Sequence, residues 1–243
     1  MIYTEESNVA AEFIAARPFQ TEVNSEAAFK QTRRWLEECN NHEHCPKHGD
    51  SQLPTRVIEV SPGDRPDKPR LLETRGKSGS YAALSYCWGK NQTGLTTTDS
   101  LQRHLTSIDQ VEISQTVQDA IACTRSLRIP YLWVDALCIS QDSNEDKRKE
   151  IANMKNIYRH SAITIVAASS DCASTGFLED RPPQPQGDEL FQVPWPLPNM
   201  TFGKVFLDLP PHHWATWGEE PLFSRDWTLQ EGFFISSSAG LFI

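Results

Sequence analysis

Apolar positions along this chain alternate between two spacings, one helical and one of near-continuous short runs, and the alternation sets out the elements. In "AAFKQTRRWLEE" (27–38), Ala28, Phe29, Thr32, Trp35 and Leu36 fall near one face at helical spacing, which predicts an amphipathic helix docked on the main body. "RVIEV" (56–60), set between turn-rich stretches, predicts a short strand. "YAALSYCW" (81–88), ended by Gly89, predicts the first strong strand, and the polar "KNQTGLTTTDS" after it predicts a loop. In "SQTVQDAIACTRSL" (114–127), Val117, Ala120, Ile121, Thr124 and Leu127 predict a helix with one buried face and Ser114 as its cap. "PYLWVDALCI" (130–139) is apolar enough for a strand covered on both sides. Ser143 and Asp146 predict the start of a helix running to His160, its inner face Ile151, Met154, Ile157 and Tyr158. "SAITIVAASS" (161–170) predicts a third strand.

Strand, helix, strand, helix, strand is the order of parallel pairing with right-handed crossovers. The expected fold is therefore α/β, a doubly wound, mostly parallel sheet with an N-terminal helical lead-in (1–80) and additional β elements, the main domain filling 81–243. The proline-rich "PPQPQGDELFQVPWPLPN" (182–199) cannot hold a helix and fits only an edge strand or a loop.

Charge narrows the partners. The chain has 32 acidic and 23 basic residues, a net charge of −9, with the basic ones scattered, so nucleic acid is not an expected partner. Nor is a membrane, since no apolar run is long enough to span one. The N-terminus, with Glu5, Glu6 and Glu12, is unlike a secretory signal, and the six cysteines show no framework spacing; free thiols in a reducing compartment are expected.

In parallel sheets ligands sit beyond the carboxyl ends of the strands. That position selects Ser85, Tyr86 and Trp88 after the first strand, Asp135 after the second, and Ser169, Ser170 and Asp171 after the third. Asp135 reads equally as a substrate-handling acid or as a turn residue accepting backbone N–H bonds. Trp88, Trp133 and Trp227 can stack on a nucleobase or simply fill core. Glu231 lies four residues after Trp227, so on a helix the two share a face and the ring would raise the carboxyl pKa by desolvation; the plainer alternative is a capping or surface glutamate. Cys39, His42, Cys45 and His48 have zinc-like spacing, but all four come from one short segment and no metal is expected. Cys87 and Cys138 lack a neighbouring base and read as small buried hydrophobes. With no Gly-rich phosphate loop, HExxH or GxSxG, the familiar hydrolase and nucleoside-triphosphatase classes are excluded on motif grounds.

Taken in order, "YAALSYCWG", "TVQDAIACTRSLRIPYLWVDALCISQD", "IANMKNIYRHSAITIVAAS", "GFLEDR" and "SRDWTLQEG" closely resemble the HET domain, the heterokaryon-incompatibility domain of filamentous fungi. The resemblance implies a cytoplasmic protein of self/non-self recognition, with an incompatibility partner, whose activation leads to cell death. Two segments depart from the pattern: Ser114 stands where a proline is usual, and "SSSAGLFI" replaces the usual last strand, so a domain cut short at its C-terminus is expected.

A second, weaker likeness is to TIR domains, which are flavodoxin-like. "LSY" (84–86) and "WTLQE" (227–231) are similar to their first strand end and their Trp-x-x-x-Glu helix. This implies cleavage of NAD, as substrate and not as cofactor, at the nicotinamide–ribose bond by a homo-oligomer, with Glu231 catalytic and Ser85, Tyr86, Trp88, Asp135 and Trp227 binding substrate. The alternative it leaves open is a non-catalytic module acting by self-association.

Overall fold

In a computed structural model the described residues are 2–18, 21–43, 51–90, 92–168, 170–180, 191–198, 201–207 and the backbone of 240–242. The strands are β1 (Ile2–Tyr3), β2 (Ser51–Gln52), β3 (Arg56–Glu59), β4 (Arg70–Glu73), β5 (Ser78–Gly79), β6 (Tyr81–Ser85), β7 (Tyr131–Trp133), β8 (Ile163–Val166), β9 (Phe191–Pro196), β10 (Phe202–Leu207) and β11 (Gly240–Phe242). The helices are α1 (Glu26–Asn41), α2 (Thr98–Thr106), α3 (Gln115–Ser126), α4 (Asp135–Cys138) and α5 (Asn144–His160). They form two compact units: Met1–Val23 with Glu179–Thr216, and Asn24–Leu178 with Trp217–Ile243.

The smaller unit is an antiparallel sheet ordered β1-β10-β9. Pro194 and Pro196 lie on β9, the edge strand, where a missing N–H breaks no interior ladder. Tyr3 stacks on Phe206 with ring centroids 5.3 Å apart. Asn8 Oδ1 accepts from Ala10 N–H at 3.0 Å and from Lys204 N–H at 3.1 Å, pinning a short 3-10 turn to β10. Gly203 is needed there, because a Cβ would lie 2.6 Å from that of Ala10.

The larger unit holds a six-stranded sheet ordered β11-β8-β6-β7-β3-β4, and the pair β2-β5. Across both units three strand pairings are parallel (β11-β8, β8-β6, β6-β7) and five antiparallel, so the fold is mixed α/β and the expectation of a mostly parallel sheet is corrected. The physical reason is the segment before residue 81: β3 and β4 pair antiparallel with each other, and β3 runs antiparallel to β7. Where the sequence departs at "SSSAGLFI", β11 is nonetheless present, parallel to β8.

Tyr81 and Trp133 set α5 on the sheet: Tyr81 Oη donates to Ile157 O at 2.5 Å, and Trp133 meets Tyr158 edge-on at 5.7 Å. Leu132, Trp133 and Ile165 are fully buried, as the apolar runs demand. Four local expectations shift. Trp35 of α1 is 56 % exposed, and Phe29 and Thr32 carry the buried face. Ile151 is half exposed, and the buried residue beside it is Glu150. The strand expected at 130–139 ends at Trp133, after which the chain coils into α4. Ser114 sits at the N-cap of α3 without a side-chain cap bond.

Candidate functional site

Within the parallel block the order is β7-β6-β8-β11, so β6 is flanked by the two strands that follow it and the chain reverses direction across the sheet between β6 and β8. Such a switch point is where open α/β sheets bind ligands. Ser85 pairs with Val166 at that end, and Ala167 N–H reaches Ser85 O at 3.0 Å.

Trp88 and Asp135, 47 residues apart, meet here: Trp88 Nε1 donates to both carboxylate oxygens, at 3.0 and 3.2 Å. Asp135 is the first residue of α4, and its Oδ1 also accepts from Ala136 N–H at 2.7 Å. Asp135 thus caps its own turn and fixes the indole, while staying partly exposed. Ser85 and Tyr86 are buried at 1 % and 3 % exposure. Trp133, the last residue of β7, is fully buried in the core. Ser170 donates to Gly176 O, and Asp171 is exposed. Trp227, Glu231 and Ser169 lie outside the described residues, as do Cys45 and His48; Cys39 and His42 close the end of α1. The described residues hold no group of three or more side chains suited to a metal ion. Burial pushes the Cys138 thiol up to about 12, which agrees with an inert, buried cysteine.

The loops at this end are knit by residues that the sequence reading passed over. Thr96 brackets α4, its N–H donating to Ala136 O (3.0 Å) and its carbonyl accepting from Gln141 N–H (2.7 Å). Asp142 accepts from Thr98 N–H and Oγ1 at the start of α2, a helix hidden in sequence by its polar start, although Thr97 and Ser100 form a capping box. Asp119 of α3, 8 % exposed, accepts from Phe177 N–H (2.7 Å) and Leu178 N–H (3.2 Å), fastening the "GFL" turn to "TVQDA". The 171–175 turn crosses the end of β6: Ala173 N–H donates to Trp88 O at 3.3 Å, and a Cβ on Gly89 (φ +67°) would sit 2.5 Å from that of Cys172.

Two groups here tie stability to pH. Burial, then the charge of Arg103, hold the His104 imidazole below its ordinary value, Glu112 opposing, with Thr96 Oγ1 2.8 Å from Nδ1. Burial alone would raise the Asp146 carboxyl, but hydrogen bonds from Arg56 and Ser140 N–H, and the charges of Arg56 and Lys149, hold it below the usual range. In both cases the unfolded chain binds the proton more readily, so stability falls with pH: the His104 contribution erodes below about 6.5, and that of Asp146 below about 3.9. Thermal melts from neutral to acid pH should therefore decline in two stages, and His104→Gln should remove the first. A melt that is flat across the first window contradicts this.

Residues 81–231 match the family described as Heterokaryon incompatibility protein (HET). Over 101 residues the chain is 32% identical to "Heterokaryon incompatibility protein 6, OR allele" of Neurospora crassa, covering 32% of this chain and only 13% of that protein's length. No solved structure matches.

Proposed function

The chain belongs to the heterokaryon incompatibility (HET) family, and from that premise we propose that it acts in fungal self/non-self recognition as a cytoplasmic cell-death effector that cleaves NAD when oligomerised by its incompatibility partner. The observation that carries the reading is the Trp88–Asp135 bond at the switch point of the parallel block. Counting from β6, the order of that block is second, first, third, fourth, which is the flavodoxin-like order and supports the TIR-like comparison.

The chemistry asks little of the protein. The bond between ribose C1′ and the positively charged nicotinamide nitrogen breaks with its electron pair going to nicotinamide, which leaves neutral and needs no proton. Water then adds to C1′ and loses a proton, giving ADP-ribose. One carboxylate, Glu231, holds the ribose hydroxyls and stabilises the oxocarbenium-like state. Trp88 and Trp227 supply aromatic faces for the base, and Ser85, Tyr86 and Asp135 support the ribose and the phosphate-bridging water.

The second reading, a non-catalytic self-association module, takes the same bond as structural and adds the burial around it. The Asp135 carboxylate is already engaged by Trp88 and Ala136, Ser85 and Tyr86 are buried, and the 171–175 turn packs over Gly89. Expression in fungal cells separates the two. Catalysis requires that Glu231→Ala abolish both NAD depletion and death; cells that still die with their NAD intact establish the association module.

A further inference from the structure

We propose a second binding site, for a phosphorylated small molecule of nucleotide size, in the cavity between α5 and the segments 51–55 and 74–76. The cavity encloses about 650 Å³, within the range of small-ligand pockets. None of Ser85, Tyr86, Trp88 or Asp135 lines it, so it is separate from the switch point.

Its chemistry is one-sided. Lys149, Asn153, Asn156 and His160 follow one another along α5 at intervals of four, three and four, which aligns them on a single stripe of the helix, and all four line the cavity. Arg75 and Thr55 line it from the opposite wall. Among the described residues no aspartate or glutamate lines it, although the chain carries a net charge of −9. Lys149 forms no ion pair among the described residues; it acts on Asp146 only through its field. Arg75 lies 3.7 Å from Glu73, in a pair exposed to water, and its charge is only partly offset. Asn156 Nδ2 donates to Asn153 Oδ1 at 2.9 Å, which leaves the Asn153 amide hydrogens for an acceptor oxygen.

Ser51, Gln52 and Thr74 add polar groups to the lining, and Leu53, Pro54, Tyr81 and Ile157 make its apolar part. Ile157 and Leu53 are buried, and the Tyr81 hydroxyl is already spent on Ile157 O, so this part presents carbon and ring faces. Cations and amide donors beside apolar side chains fit a phosphate attached to a flat ring better than a bare anion or a neutral ring.

ADP, adenosine and inorganic phosphate, titrated into the full chain by calorimetry and amide NMR, test the site. The expected result is saturable ADP binding that moves the resonances of Gly76, Asn153 and Asn156, with adenosine and phosphate each weaker by about tenfold or more. Lys149→Gln and Arg75→Gln, both at exposed positions, should stay folded at the assay temperature and each lower ADP affinity several-fold, with a further loss in Arg75→Glu. The site is refuted if ADP shows no saturable binding up to about 5 mM. Equal binding of adenosine or phosphate, affinity unmoved by all three charge changes, or shifts confined to Trp88 and Asp135 refute it equally.

Discussion

Replacing Arg56 by methionine is expected to cost about 3–5 kcal/mol, a large fraction of the 5–15 kcal/mol that holds a domain of this kind folded. Arg56 is 7 % exposed and faces two ways: its Nε donates to Cys138 O at 2.7 Å, and Nη2 pairs with Asp146, whose Oδ2 also accepts from Ser140 N–H at 2.7 Å. The guanidinium thereby ties β3 to the end of α4 and the start of α5. Without it, Asp146 is left partly buried without its cation, close to Glu150, which is 1 % exposed and whose Oε2 finds no partner among the described residues. Breaking one side of such a pair costs far more than the pair contributes, because the stranded charge remains. Arg56→Lys should rescue little, since one ammonium cannot reach both acceptors in the guanidinium geometry. Chemical denaturation of the three proteins checks this; a loss below about 1 kcal/mol for Arg56→Met would show the cluster to be solvated.

Asp119→Ala should follow closely, at roughly 2–4 kcal/mol, because the buried Phe177 N–H and the part-buried Leu178 N–H both lose their acceptor. Gly176 explains why the site is so tightly specified. Its φ is +79°, and a Cβ there would stand 2.6 Å from Asp119 Oδ2 and 2.8 Å from Gln115 Cγ. Gly176→Ala therefore suffers both left-handed strain, about 1–2 kcal/mol, and a collision with the carboxylate. The collision with the carboxylate disappears once the carboxylate does, while the approach to Gln115 Cγ remains. In the double variant the two losses should sum to less than their parts by about 1 kcal/mol or more, a coupling that a stability cycle reads directly. Additive losses would mean that the turn is held by something other than Asp119.

What the sequence made legible is what local periodicity expresses. Val117, Ala120, Ile121 and Thr124 marked α3 because a helix on a sheet must repeat its apolar face. The same spacing misplaced Ile151: α5 is amphipathic around Ile157 and Tyr158, but one residue's rotation puts Glu150 inward, and only the Arg56 side of the fold makes that tolerable. "PYLWVDALCI" looked like one strand because α4 is buried throughout apart from Asp135, and a buried short helix has the composition of a buried strand.

The site is legible in part, through the rule that ligands gather at strand ends, which puts Trp88 and Asp135 in the same region from the sequence alone. That the two bond each other across 47 positions, or that Asp119 fastens a turn 58 positions away, is written in no local pattern. Such contacts arise only when the sheet order brings the segments together. The strand expected at 56–60 is β3, but its antiparallel direction and its partner β4, for which no strand was expected, are invisible locally, since strand direction follows from connectivity and not from composition.

Nicotinamide release from NAD by purified protein, held together through an oligomerising fusion, is the most direct probe of the active-site reading. Steady turnover by the wild-type fusion is predicted, lost in Glu231→Ala and reduced in Asp135→Ala, where Trp88 and Ala136 lose their acceptor and stability falls by about 1–3 kcal/mol. A concentrated fusion that kills fungal cells yet releases no nicotinamide would contradict it.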